Sequence, residues 1–238
     1  MAAPALALLL AGCGTGAPSG GTADVQSQAA TCVNRVTPDC SAYIYSSPRP
    51  GTEVVSAPKS SAGNNREFFW SPSSPSGSDM TVCARFADGR GADQQGIVLR
   101  LHELADGRVS AVTVTRNVWM GAFDVFNFHV WNTATDPASP FTQFGSTVVP
   151  VLPVRPAVYP LDMCARTVAA SDSVEFVVWK DGQPKPGWGS TTQGGRATIP
   201  GDAPAVGRGG WFAGHLSPGT SMTYEGLSVD GVVASDLP

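Results

Sequence analysis

The chain has 238 residues, of which only 14% are charged, and its net charge is −4. With no basic run, nucleic acid is excluded as an expected partner, and recognition falls to shape and hydrogen bonding. The 27 Gly and 20 Pro, the plentiful Val, Thr and Ser, and the lack of a long amphipathic stretch exclude a helical bundle; they predict an all-β chain with many turns.

The chain opens on "MAAPALALLLAGC". Its apolar run, Ala3 to Leu10, is too short to span a bilayer. The run ends in Leu10-Ala11-Gly12-Cys13, which resembles a bacterial lipobox. That resemblance implies a signal peptide over residues 1–12 and lipidation of Cys13. Small residues before the cysteine suit a narrow peptidase site, and two acyl chains on Cys13 give stable anchoring where one is marginal. The run lacks the preceding Lys or Arg of such signals, and an ordinary secretory signal is the alternative. Residues 14–30, small and polar, read as a flexible tether that follows the lipidated Cys13. The expected location is extracytoplasmic, at a bacterial cell envelope, with the membrane as a partner through the lipid.

The remaining cysteines are Cys32, Cys40, Cys83 and Cys164, an even number that fits an oxidising compartment. Four cysteines allow three pairings. The favoured one joins Cys32 to Cys40 as a local loop and Cys83 to Cys164 as a long-range staple. A zinc site is the rival, but no Cys-x2-Cys or His at ligand spacing supports it.

Residues 31–238 read as one domain of about 200 residues, large enough for its own core. Residues 31–78 look irregular, with "SAYIYSS" and "REFFW" as short strands. From Asp79 the pattern clears. "DMTVCARF" alternates, with Met80, Val82, Ala84 and Phe86 inward and Thr81, Cys83 and Arg85 outward. "IVLRLHELADGRVSAVTVT" centres on Asp106-Gly107, a pair suited to a type I′ hairpin turn. Folding there sets Leu101 opposite Val112, Leu99 opposite Val114, Arg100 opposite Thr113 and His102 opposite Ala111. "FNFHVWN", residues 126–132, puts Phe126, Phe128 and Val130 in the core and Asn127, His129 and Trp131 on the other face. "TVVPVLPVRPAVYP" holds four prolines and is expected at an edge or crossing the surface. "PLDMCARTV" alternates like the first strand, with Asp162, Cys164 and Arg166 outward. "SVEFVVWKDG", "RGGWFAGHLS" and "SMTYEGLSVDGVV" complete a series of short strands that predicts a sandwich or jelly roll.

The stretch from Tyr159 to Gly189, with "GRGGWFAGHLSPGTSMTYEGLSVDG" after it, resembles the concanavalin A-like lectin/glucanase (laminin-G-type) superfamily. The residues that carry the likeness are Val174 to Trp179, Asp181-Gly182, Pro184, Pro186, Trp188, Gly210 to His215 and Tyr224 to Val229. The resemblance implies two curved antiparallel sheets with a concave face. It spans lectins, carbohydrate-binding modules, glucanases and lyases, so fold alone leaves function open.

The Glu-x-Asp-x-x-Glu string of the superfamily's laminarinase-like glucanases is absent, and the outward carboxylates Asp162 and Glu175 lack a nearby partner in sequence. "HELAD" falls short of the zinc-protease motif and lies on a strand. "SAPK" matches Ser-x-x-Lys in the wrong context, a proline-containing loop. No cofactor is expected. "DGRGAD" could lend Asp88 and Asp93 to a structural calcium, though an ordinary turn is the simpler reading. What remains is a polar face made of Arg100, His102, Asn127, His129 and Trp131, with Trp211 and His215 as further members. Aromatic faces suit the C–H patches of sugars, and Asn, His and Arg suit their hydroxyls. The expectation is a non-catalytic module for a glycan such as a cell-wall polysaccharide. The alternatives are a hydrolase or lyase, with His129 as base and Arg100 or Arg166 neutralising a uronate, and a surface lipoprotein that meets another protein.

Overall fold

The computed structural model describes residues 43–61, 65–71, 74–89, 93–105, 108–117, 121–133 and 140–233, and the backbone of 29–32. In chain order the strands are β1 (Ala29–Cys32), β2 (Ile44–Arg49), β3 (Thr52–Ser56), β4 (Arg66–Trp70), β5 (Ser76–Gly77), β6 (Met80–Phe86), β7 (Gln94–Glu103) and β8 (Val109–Asn117). They continue with β9 (Phe123–Asn132), β10 (Phe141–Pro153), β11 (Leu161–Val168), β12 (Ser173–Lys180), β13 (Gly194–Thr198), β14 (Gly207–Gly214), β15 (Ser221–Val229) and β16 (Val232–Val233). A 3-10 turn lies at Ala169–Ser171.

The strands form two antiparallel sheets. The first runs β1-β4-β14-β7-β8-β9-β10, with β5 beside β14; the second runs β13-β12-β11-β6-β15-β3-β2, with β16 beside β15. The all-β sandwich read from the sequence is therefore the fold. Residues 31–78 are more regular than their composition suggested. They place β4 against β14 in the first sheet and β3 against β15 in the second.

Between the sheets lies the main core, which takes one face of most of the strands. β6 alternates fully, with Met80, Val82, Ala84 and Phe86 buried and the residues between them partly exposed. Phe126 and Phe128 of β9 meet Phe176 of β12 across the layer, the first pair stacked at 4.7 Å between ring centres. Burying each such ring contributes about 1.5–3 kcal/mol. β6 and β11 are neighbours, Cys83 lies opposite Cys164, and the two form a disulfide on the outer face of the second sheet. Arg85 and Arg166 share that face, as the matching Cys-Ala-Arg runs implied. The side chains of Cys13, Cys32 and Cys40 lie outside the described residues. β10 is the edge strand of the first sheet, so Pro150 and Pro153 interrupt no central ladder.

The β7–β8 hairpin forms with a different register. Leu99 faces Val112 and Ile97 faces Val114; His102 faces Ser110, and the ladder shifts between Leu99 and His102. One residue of the shift is present at the turn end, where Glu103 faces Val109, and a bulge at Arg100, whose φ is +49°, adds the second. The extra residue inverts the alternation. Ile97 and Leu99 stay in the main core, while Leu101 joins Val98 on the outer face.

Candidate functional site

The outer face of the first sheet is not uniformly solvated. At one end, Phe68, Trp70, Val98, Leu101, Val109, Ala111, Trp131 and Phe212 form a second buried apolar cluster. Beside it opens a cavity of about 240 Å³ lined by Arg66, Gln94, Thr115, Asn117, Asn127, His129, Trp131, Phe141, Gln143 and Phe212. Strand register explains the convergence. His129 faces Thr113 and Asn127 faces Thr115 across β8–β9, while His129 faces Gln143 and Trp131 faces Phe141 across β9–β10. Gly96 of β7 lies between Phe212 and Thr115. A Cβ on Gly96 would come within 2.5 Å of the Val114 carbonyl oxygen, so this position is held to a bare backbone.

The polar side chains, all but Gln143 on strands inside the sheet, are partly pre-ordered. Gln94 Nε2 donates to Asn117 Oδ1 at 2.5 Å, and Trp131 Nε1 donates to Thr113 Oγ1 at 2.9 Å. Phe141 packs edge-on against His129 at 5.1 Å and tilted against Trp131 at 4.7 Å. His129 is only 8% exposed and Thr115 1%. His129 Nδ1 and Thr115 Oγ1 are buried and have no hydrogen-bond partner among the described residues. A buried polar atom left unsatisfied costs about 1–3 kcal/mol, so each atom can take up a hydrogen bond from a hydroxyl group or a water molecule. Burial pushes the His129 imidazole down to about 4, and the Arg66 guanidinium adds to the shift. The ring is therefore neutral at pH 7, with one nitrogen free to accept a hydrogen bond. Among the described lining residues there is no Asp or Glu.

Of the seven residues expected on this face, Asn127, His129 and Trp131 meet in the cavity. The others do not line it. Arg100, turned by the bulge, donates from Nε to the Ser78 carbonyl oxygen at 2.8 Å and is buried against the second sheet. His102 is exposed opposite Ser110. Trp211 faces the main core and donates from Nε1 to the Cys83 carbonyl oxygen at 3.1 Å. The next residue, Phe212, is the one that reaches the cavity. His215 lies past the end of β14 with φ +59°, where its backbone N–H donates to the Asn65 carbonyl oxygen. Burial and Arg66 hold its imidazole at about 4 as well. Trp131, expected as an exposed sugar platform, is 1% exposed and belongs to the apolar cluster. Phe141 is the partly exposed ring at the site.

A lyase constellation of His129 with Arg100 or Arg166 is not assembled. Arg100 turns to the second sheet, and Arg166 pairs with Glu175 on that sheet's outer face. Asp88 accepts from the backbone N–H and the hydroxyl of Thr223 at 2.7 and 3.1 Å. Among the described residues no group of three or more His, Cys, Asp or Glu is placed to hold a metal ion.

Sequence reasoning missed Arg66, Gln94, Thr115, Asn117, Phe141, Gln143 and Phe212. A signal existed for two of them: in "VTVTRN" Thr115 and Asn117 alternate with the core positions Val112 and Val114.

Two antiparallel sheets in this order define a jelly-roll sandwich, and the polar cavity lies on the outer face of one. No family model matches the sequence, and no curated protein matches it. Among solved structures, the chain is similar to a Bacillus subtilis protein of unknown function with a galectin-like fold. That match has a TM-score of 0.53 and 12% identity, over 89% of this chain and 92% of the other. A carbohydrate-binding module from Bacillus subtilis matches with a TM-score of 0.47 and 12% identity, over 86% and 97% of the two chains. A legume lectin-like domain from Entamoeba histolytica matches with a TM-score of 0.44 and 8% identity, over 86% and 90%. At these identities the galectin-like match shows the fold, the jelly-roll sandwich that the strand series predicted, and nothing finer.

Proposed function

We propose that this protein is a carbohydrate-binding, lectin-like module that takes a glycan in the cavity of the first sheet. The observation that carries the reading is the pair of buried, unpartnered atoms in the cavity, His129 Nδ1 and Thr115 Oγ1. A sugar hydroxyl can donate to the first, and a hydroxyl can accept from or donate to the second. Gln94, Asn117, Asn127 and Gln143 add fork-like amides, and Phe141, partly exposed, adds an aromatic surface to the lining. At about 240 Å³ the cavity is smaller than the roughly 300–1,000 Å³ of pockets for drug-sized ligands, which suits one sugar ring rather than a buried chain. Among the described residues the lining holds no Asp or Glu, which supports binding over a two-carboxylate hydrolysis. The test is retention on a polysaccharide panel, comparing the protein with an Asn127→Ala/His129→Gln variant. The reading requires a retained glycan that the variant releases, and equal retention by both would sink it.

We also propose that the module lies outside the cytoplasm, held to the membrane by lipid on Cys13; the lipobox-like Leu10-Ala11-Gly12-Cys13 and the Cys83–Cys164 disulfide support this. Fatty-acid labelling of the expressed protein, lost in Cys13→Ser, is the expected result; labelling that persists in the variant would contradict it.

A further inference from the structure

The outer face of the second sheet segregates its charges. Arg85 is ringed by carboxylates, with Asp181 at 2.8 Å, Asp162 at 3.5 Å and Glu225 at 3.7 Å. On the β12–β13 side the balance reverses. Arg166 donates from Nε and Nη2 to a single oxygen, Glu175 Oε2, at 3.0 and 2.8 Å, and Arg196 Nη1 lies 3.3 Å from Glu175 Oε1. The segment 181–193 folds back over this face and brings Trp188 and Lys185 to the pair. The Arg166 guanidinium stands 4.4 Å from the Trp188 ring centre; Lys185 Nζ stands 4.8 Å from Trp188 and 5.9 Å from Trp179. Arg166 and Arg196 thus share one carboxylate, with Lys185 beside them at Trp188, while Asp162, Asp181 and Glu225 are drawn to Arg85. Burial, and then Arg166, lowers the Lys185 amine from its ordinary value. That crowding is relieved by an anion. Pro184 and Pro186 restrict the backbone that presents Lys185 and Trp188, which lowers the ordering cost of binding.

We propose that Arg166, Lys185 and Arg196, grouped around Trp188, form a second binding site that takes an acidic sugar residue. Its carboxylate or sulfate ester meets the cations, and its ring lies against an indole. This site is on the opposite sheet from the cavity and stands independently of it. Hydrogen bonds to charged groups are the strong ones, so removing two of the three cations is expected to weaken binding about tenfold or more. The probes are polygalacturonate, its fully methyl-esterified form, dextran sulfate and dextran, measured by calorimetry on the intact protein. Polygalacturonate or dextran sulfate is expected to bind, more weakly as salt rises, and the neutral counterpart of the one that binds is expected to lose most of that affinity. Which of the two binds tells a uronate from a sulfate ester. Lys185→Ala/Arg196→Ala, both at exposed positions, is expected to lose the binding with an unchanged melting temperature. Asn127→Ala/His129→Gln, in the other site, is expected to leave it intact. Failure of both anionic probes to bind would overturn the proposal. So would equal affinity for a neutral polymer, or an undiminished affinity in the Lys185/Arg196 variant.

Discussion

Acidification tests the physical state of the cavity through one residue. The His129 imidazole is held at about 4, against 6.5 for the free group, chiefly by burial. Its folded value is depressed, so between pH 6.5 and about 4 the unfolded chain binds a proton that the folded one refuses. The stability tied to neutral His129 is fully present above pH 6.5 and is lost progressively as pH falls towards 4. At 1.36 kcal/mol per unit, the difference amounts to about 3 kcal/mol. That is a large part of the roughly 5–15 kcal/mol that holds a typical domain together. The assay is denaturant unfolding at pH 7 and pH 4 for the protein and for His129→Gln. His215 moves in the same direction and is present in both, so it cancels in the comparison. The protein is expected to lose about 3 kcal/mol more than the variant on acidification. Glycan binding that uses Nδ1 as an acceptor should fade over the approach to pH 4, as the ring gains its proton. Equal pH dependence in the two proteins, or an imidazole that titrates near 6.5 by NMR, would refute the reasoning.

Three further outcomes follow from packing and covalent structure. The Cys83–Cys164 bond closes a separation of 81 residues, so Cys83→Ala/Cys164→Ala should cost about 4 kcal/mol in unfolding free energy, measured by denaturant titration. Arg116 and Asp124 pair at 2.6 Å with both side chains fully buried, and Asp124→Ala should destabilise by roughly 3–5 kcal/mol because it strands the guanidinium; a melting curve checks this. Gly96→Ala would drive its Cβ into the Val114 carbonyl, so it should cost about 1–3 kcal/mol and weaken retention on any glycan the parent binds.

Much of the fold was legible because one face of most strands is apolar and the other is not. "DMTVCARF" and "PLDMCARTV" could be phased from alternation alone, and with the phase came the outward Cys83 and Cys164 that bond. The polar face of β9 was readable for the same reason. Phase failed where both faces are apolar. In "GGWFAG" two aromatics are adjacent, and nothing local tells that Trp211 packs inward and Phe212 outward. Arg100 failed for a different reason: a bulge is a backbone event at a residue whose side chain gives no turn signal, and it reversed the face of Leu101. Trp131 was placed on the right face, but its burial depends on Phe68, Phe212 and Phe141, contributed by three other strands. The cavity itself is a product of sheet order. β14 must lie beside β7, and β4 beside β14, before Phe212 and Arg66 can meet residues of β8, β9 and β10.

The central claim is that the cavity of the first sheet holds a sugar through His129 and its neighbours. Its most direct test follows the His129 imidazole by NMR while the protein is titrated with the glycan best retained on a polysaccharide panel. The account predicts that the His129 and Thr115 resonances shift together on saturation, and that His129→Gln weakens the affinity about tenfold, the loss expected for one or two buried hydrogen bonds. A retained glycan that leaves both resonances unmoved and binds the variant equally well would contradict it.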